Sequence, residues 1–195
     1  MKIILTGSLG HISKPLAAQL IQNGHDVSII SSIKDRREDI TKLGAKPIIG
    51  SLEDAKFVTD AFFGADAVYT MVPPNDYTNP NLDLLAYYEQ LGHNYAHAIK
   101  ANSIKRVVNL SSIGAHLEHG SGILLGAHRV EQILDAVSQG VAITHIRPTS
   151  FYYNLFAYIP SIRQANVIAV NHGESHTLSW VAPIDIADAV AAELQ

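Results

Sequence analysis

A doubly wound α/β fold, with helices on both faces of a parallel sheet, is predicted by three observations. Short apolar runs alternate with longer stretches of helical period along most of the chain, as in successive βαβ units. The first apolar run stops at a glycine-bearing loop that leads directly into a helical stretch. The chain has 195 residues, 47% apolar and 16% charged, enough for one substantial core. A domain of this size buries about 70% of its unfolded surface.

Residues 2–6 form a buried strand built on Ile3, Ile4 and Leu5. Residues 12–23 place Ile12, Leu16, Ala17, Leu20 and Ile21 on one helix face. Pro15 suits the first turn of that helix, where its missing N–H costs nothing, and Asn23-Gly24 ends it. Residues 27–30 are the second strand. The polar run Asp35-Arg36-Arg37-Glu38-Asp39 turns into a helix reaching Leu43, and Gly44 leads to a strand at 47–49. Residues 53–63 are helical, and 67–72 form a strand stopped by Pro73-Pro74 before a loop at 75–80. A long helix at 82–101, a strand at 106–110, a loop at 113–121, a helix at 124–137 and a strand at 142–146 follow. Beyond them, 147–158 is aromatic-rich, 167–170 reads as a strand and 183–194 as a final helix. Residues 1–150 are expected to hold the sheet, and 151–195 a smaller lobe of the same structural unit. Ligands of such sheets bind at the carboxyl ends of the strands, which puts Thr6, Ser31, Ser32, Ser51, Pro73 and Ser111 on one rim.

Composition removes several classes of function. There is no cysteine, which excludes a disulfide framework, a thiolate metal site and a catalytic thiol. A formal charge of −4 argues against a nucleic-acid binder, which would carry a basic patch. No run approaches the roughly 20 apolar residues of a membrane span. Ile3-Ile4-Leu5 is also far shorter than a signal-peptide core. The expectation is a cytoplasmic domain acting on a small molecule, without nucleic acid or membrane.

The segment Thr6-Gly7-Ser8-Leu9-Gly10-His11-Ile12-Ser13 lies between the first strand and the first helix. Gly7 permits a tight turn, and Gly10 lets backbone amides approach a pyrophosphate at the positive end of the helix. Strand before and helix after is the context that gives such a loop its meaning. Ser13 stands where a third glycine is usual and is small enough for close packing of helix on strand. In this setting the backbone N–H of His11 counts for more than its ring.

TGSLGHISKPLA resembles the TGxxGxxG loop of short-chain dehydrogenase/reductase-like proteins. The chain as a whole is similar to the NmrA-like, atypical branch of that superfamily. The segments that carry this are LGAKPIIGSLED (43–54), GADAVYTMVPP (64–74), VVNLSSIGAH (107–116), HRVEQIL (128–134), THIRPTSFYYNL (144–155) and VAPIDIADAV (181–190), in the family's order. The resemblance implies a Rossmann-like, NAD(P)-binding core. It also implies further strands and helices after Ala187 that close the substrate pocket, so the substrate lobe here reads as truncated or minimal. Ser51 and Leu52 are implied to flank the adenine, Met71, Val72 and Pro73 to lie along the cofactor ribose, and Ser111, His128 and Pro148 to stand beside the cofactor.

In dinucleotide folds an acid about 20 residues past the loop holds the ribose hydroxyls and favours NAD. The second strand here ends in Ser31-Ser32 with Lys34, Arg36 and Arg37 close by. Hydroxyls and cations suit a 2′-phosphate through charge-assisted hydrogen bonds, so NADP(H) is favoured over NAD(H). Lys34 and Arg37 are the preferred contacts, and Arg36 is either a contact or part of a solvated helix start.

Members of the superfamily that reduce carbonyls pair a serine after the fifth strand with Tyr-x-x-x-Lys on the next helix. The serines are present as Ser111 and Ser112, but the spacing meets Leu124 and His128. Leucine cannot donate a proton, so that mechanism is absent in its usual form. Ser112 and His128 remain the catalytic candidates. His128 either serves the site or is a half-buried residue satisfied by a backbone carbonyl. His116, Phe151, Tyr152 and Asn154 are candidates for substrate contact, with Phe151-Tyr152-Tyr153 as an apolar wall or a phenol source.

Glu89, His93 and His97 share one face of the long helix. A structural metal site usually needs four ligands, so the expectation is no metal and a solvent-facing or interface stripe that could support a homodimer. His172 and His176 are expected to be exposed. Two functional readings follow. One is an NAD(P)H-dependent oxidoreductase passing hydride to a small apolar acceptor such as a quinone; the other is a non-catalytic NADP(H)-binding redox sensor.

Overall fold

The computed structural model describes residues 1–76, 79–170 and 177–195. Strands β1 (Lys2–Leu5), β2 (Asp26–Ser31), β3 (Lys46–Ile49), β4 (Ala67–Thr70), β5 (Arg106–Leu110) and β6 (Ala142–Ile146) form one sheet in the order β3-β2-β1-β4-β5-β6. Every pairing in it is parallel. The order reverses between β1 and β4, so the crossovers leave a crevice there above the strand ends.

Helices cover both faces: α1 (Ser13–Gln22), α2 (Arg37–Lys42) and α7 (Pro183–Leu194) on one, α3 (Ala55–Ala61), α4 (Leu84–Ala101) and α5 (Leu125–Asp135) on the other. Alternation along the strands sends side chains to the two sides. Ile3, Leu5, Ile29 and Tyr69 pack with Leu16 and Leu20 of α1 and with Ile186, Val190 and Leu194 of α7. Ile4, Ile30, Val68 and Val107 pack with Val58, Leu91, Tyr95, Ile99 and Leu134. The final helix therefore completes the core of the large sheet. Asp54 and Asp83 cap α3 and α4, their carboxylates accepting from the amides of Phe57 and Ala86 at 3.0 and 2.9 Å.

Helices α4 and α5 pack closely because α5 carries glycine where α4 brings a ring. A Cβ on Gly126 would stand 2.6 Å from Cγ of Tyr88. Gly126→Ala is therefore expected to destabilise the fold by about 1–3 kcal/mol through overpacking, despite a gain of about 1 kcal/mol in helix propensity. Urea denaturation measures the net effect.

The tail departs from the sequence reading. Residues 167–170 form no strand: α6 (Ile159–Ala165) ends at a left-handed Asn166, and the segment pairs with no strand among the described residues. Tyr152–Tyr158 is a 3₁₀ run leading into α6, an element the aromatic-rich pattern did not reveal. Ser150–Phe151 (β7) and Trp180–Val181 (β8) make a separate parallel pair. His172 and His176 lie outside the described residues.

Candidate functional site

A cleft of ≈ 1010 Å³ opens at the carboxyl ends of β1, β2, β4 and β5. Its floor is the loop after β1. Gly7 has φ +85° and Ser8 φ +54°, two successive left-handed residues that turn the chain sharply into α1. Ser13, in place of the third glycine, is buried and donates from Oγ to the Thr6 carbonyl at 3.0 Å. Thr6 in turn accepts the Met71 amide on Oγ1 at 3.0 Å, and the buried Tyr95 hydroxyl donates to the Met71 carbonyl at 2.7 Å. Burial pushes the Tyr95 phenol far above its ordinary value, so it remains a neutral donor. This ladder of hydroxyls fixes the loop against β4.

The start of α1 has no side-chain cap and no acidic residue in its first turn. His11, Ile12 and Ser13 at that start line the cleft, which brings the positive end of the helix to it. A Cβ on Gly10 would lie 3.0 Å from the Gly7 carbonyl, so the loop also needs glycine for its own closure. The uncapped helix and this bare backbone cradle fit a dinucleotide's pyrophosphate.

Of the loop residues expected to meet a cofactor, Gly7, Gly10, His11 and Ile12 line the cleft. Thr6 is fully buried and Leu9 packs against the core, so both act as supports. The His11 ring takes a larger part than expected. It lies 3.7 Å from the Tyr153 ring, centroid to centroid, bridging the loop and the aromatic segment.

Beyond β2, Ser8 donates to Ser31 Oγ at 2.8 Å, and Arg36 Nη1 approaches Ser8 Oγ at 3.4 Å. Ser31, Ser32 and Arg36 line the cleft, whereas the side chains of Lys34 and Arg37 are exposed outside it. This placement has a geometric cause. Lys34–Arg36 is a single 3₁₀ turn closed by the Arg36 amide on the Ile33 carbonyl, and it carries the third residue back over the strand end. Ser51 and Leu52 also line the cleft; Asn94 and Gln90 of α4 hold their loop by donating to the Leu52 and Glu53 carbonyls at 2.9 and 3.2 Å. Met71, Val72 and Pro73 form the wall above β4.

The far end is apolar, walled by Tyr87, Tyr88, Ile123, Leu124, Val130 and Phe151, with Ser111, Ser112 and Asn154 as polar points. His128 is not among its lining residues. The imidazole is buried, and Nδ1 donates at 2.8 Å to the carbonyl of Ala115 in the turn that follows β5. Pro148 is likewise outside the cleft wall, its carbonyl accepting the Ile113 amide. His116 is exposed beyond the rim, and Tyr152 stacks on Trp180 at 6.2 Å instead of entering the cleft.

Sequence reasoning missed a buried charge beside Ser111. Glu131 of α5 is 5% exposed and receives Arg147 through Nε at 2.9 Å and Nη2 at 2.5 Å. Ser111 Oγ donates to the same carboxylate at 2.5 Å. Burial alone would raise the Glu131 pKa, but the hydrogen bonds from Arg147 and Ser111, with the nearby His145, outweigh it and hold the carboxyl below its usual range. A second chain of bonds runs below: Thr70 donates to Asn109, Asn109 to His145 Nδ1, and His145 Nε2 to Asp135. An acid and a base spaced 16 residues apart on different elements leave no local signal of their pairing.

Among the described residues, no group of three or more His, Cys, Asp or Glu is gathered as for a metal ion. Glu89 stands 3.6 Å from Arg129. Among the same residues, no helix is long and apolar enough to cross a membrane.

Comparison with known proteins agrees with this geometry. The chain superposes on an NADPH-dependent quinone oxidoreductase from Escherichia coli, complexed with NADPH, with a TM-score of 0.83 at 17% identity. The match covers 99% of this chain and 64% of that one. A triphenylmethane reductase from Citrobacter sp., complexed with NADP(H), gives 0.80 at 15% identity over 98% of this chain and 64% of its own. A nucleoside-diphosphate-sugar epimerase from Staphylococcus aureus gives 0.82 at 18%, over 98% of this chain and 66% of its own. A sterol-4-alpha-carboxylate 3-dehydrogenase, decarboxylating, from Dictyostelium discoideum is 33% identical over 66 residues, 34% of this chain and 20% of that protein. The chain thus spans a fifth of that curated relative and just under two thirds of the first of these structures. A model of the NAD(P)H-binding family matches residues 7–195. With its glycine loop, uncapped helix and six-stranded parallel sheet, the chain belongs to the NAD(P)H-binding family.

Proposed function

We infer that the protein is an oxidoreductase that passes hydride from NADPH to a small apolar acceptor such as a quinone. One observation carries this reading: a single cleft joins the phosphate loop to an apolar, aromatic-walled end. When bound, the reduced nicotinamide supplies the hydride. The chain's own residues bind and orient. The loop amides and α1 meet the pyrophosphate, the 51–53 loop flanks the adenine, and Tyr87, Tyr88, Leu124 and Phe151 form the apolar wall on which the acceptor rests.

Leu124 stands where the phenol would be, and His128 is bonded away from the cleft. A quinone fits such a site because it carries its own electron sink and can take its proton from water, leaving proximity as the enzyme's contribution. The same placement of His128 favours a second reading, a redox sensor that binds NADP(H) without turnover. Following NADPH oxidation at 340 nm with a panel of quinones separates the two. Tight NADPH binding with no turnover on any acceptor overturns the enzyme reading.

Preference for NADP(H) over NAD(H) rests on Arg36 beside the Ser8–Ser31 hydroxyl pair. Arg36→Ala is expected to weaken NADPH binding about tenfold to a hundredfold, the worth of hydrogen bonds to a charged group, with NADH unchanged. Lys34→Ala and Arg37→Ala should change either affinity by less than about threefold, as expected of exposed charges. Fluorescence titration with both nucleotides measures this, and equal affinity of the unaltered protein for NADPH and NADH removes the 2′-phosphate argument.

A further inference from the structure

We propose that Ser111 reads the ligand as a hydrogen-bond acceptor, and so selects a ligand group that carries a hydrogen-bond donor. The inference rests on the reading that the cleft holds a nicotinamide dinucleotide. A serine hydroxyl has one proton and two lone pairs, whereas an ionised carboxylate can only accept. Ser111 Oγ lies 2.5 Å from Glu131 Oε1, so the proton between them belongs to the serine and points away from the ligand. Glu131 cannot return one, because Arg147 occupies both carboxylate oxygens with N–H donors from the other side. What Ser111 offers the cleft is therefore lone pairs.

This polarity is opposite to that of a serine that polarises a substrate carbonyl. It directs Ser111 toward an N–H or O–H. Two groups at this end of the cleft carry such a donor: the carboxamide of a nicotinamide, and the hydroxyl of a reduced acceptor. Ser111 lines the cleft at its apolar end together with Leu110 and Ser112. Its backbone is fixed by its amide on the Ile146 carbonyl at 2.8 Å, and its hydroxyl by the bond to Glu131.

The test is isothermal titration of the unaltered protein and of Ser111→Ala. The probes are NADP⁺ and its 3-acetylpyridine analogue, which keeps the carbonyl and lacks the N–H donor. A naphthoquinone and its hydroquinone, added anaerobically to the NADP⁺-loaded protein, form the second arm. Ser111→Ala should weaken the donor-bearing member of one pair by about fivefold, the worth of one hydrogen bond, and leave its donor-less partner unchanged. Loss on NADP⁺ but not on the acetyl analogue locates the donor on the cofactor, and loss on the hydroquinone alone locates it on the acceptor. Equal losses within each pair, a larger loss on the quinone than on the hydroquinone, or no loss at all overturns the proposal. Absence of NADP⁺ binding to the unaltered protein overturns the cofactor reading, and this inference with it. Thermal melting of Ser111→Ala confirms that a loss reflects binding and not folding.

Discussion

Gly7→Val is expected to weaken NADPH binding by at least about a hundredfold, equivalent to about 2.7 kcal/mol. Two independent obstacles meet at this residue. Its φ of +85° lies in the left-handed region, where a β-branched side chain is strained by about 1–2 kcal/mol. A Cβ there would stand 2.6 Å from Ser13 Oγ and 3.2 Å from the Met71 side chain. Ser13 cannot swing aside without abandoning its bond to the Thr6 carbonyl. The loop would have to open, and with it the alignment of amides on the cleft. Gly7→Ala combined with Ser13→Gly removes the closest contact but keeps the positive φ, so it should recover only part of the binding. Fluorescence titration with NADPH, with urea denaturation alongside, reads both effects. Unaltered affinity in Gly7→Val would mean that the loop does not hold the pyrophosphate.

Arg147→Ala should produce the largest loss of stability among single polar substitutions, about 2–3 kcal/mol at neutral pH. Breaking one half of a buried pair leaves the other charge without compensation. The pair is asymmetric: the Glu131 side chain is 6% exposed and the Arg147 side chain 42%. Removing the exposed partner therefore strands the buried one, and water reaching the arginine site keeps the loss toward the lower end of the range for such pairs. The pH dependence has a definite sign. In the native protein the Glu131 carboxyl is held below its ordinary 4.5, so its contribution is present above that value and lost as pH falls through the lower folded value. Without Arg147, burial raises the carboxyl instead, and Glu131 can take up a proton at milder acidity. The stability gap between the two proteins should therefore narrow between pH 7 and pH 4. Urea denaturation across that interval measures it, and a gap that widens on acidification would refute the account.

Legibility in the sequence followed the range of the interaction. Strands β1, β5 and β6 and helix α7 were readable because apolar spacing is a local property. The glycine turn between β1 and α1 was readable for the same reason, since Gly7, Gly10 and the following helix are contiguous. Boundaries moved wherever a neighbour decided them. The 3₁₀ turn at Lys34–Arg36 is one case, and it brought Arg36 into the cleft in place of Lys34 and Arg37. The segment at 167–170 is another, because a strand needs a partner that apolar composition cannot supply.

The sequence by itself determined the fold class and the glycine turn at the head of α1, consequences of periodicity and of glycine's backbone freedom. Only the tertiary structure decided which side chains complete the site. The packing of α5 against the segments after β5 and β6 buried His128 and Glu131. The end of β6 then carried Arg147 onto Glu131, and Glu131 accepts the hydrogen bond of Ser111. These partners lie 16 and 20 residues from Glu131 in the chain and meet through the packing of separate elements. The direction of the Ser111 hydroxyl follows from that packing, since a hydroxyl has one proton and its nearest carboxylate decides where the proton points.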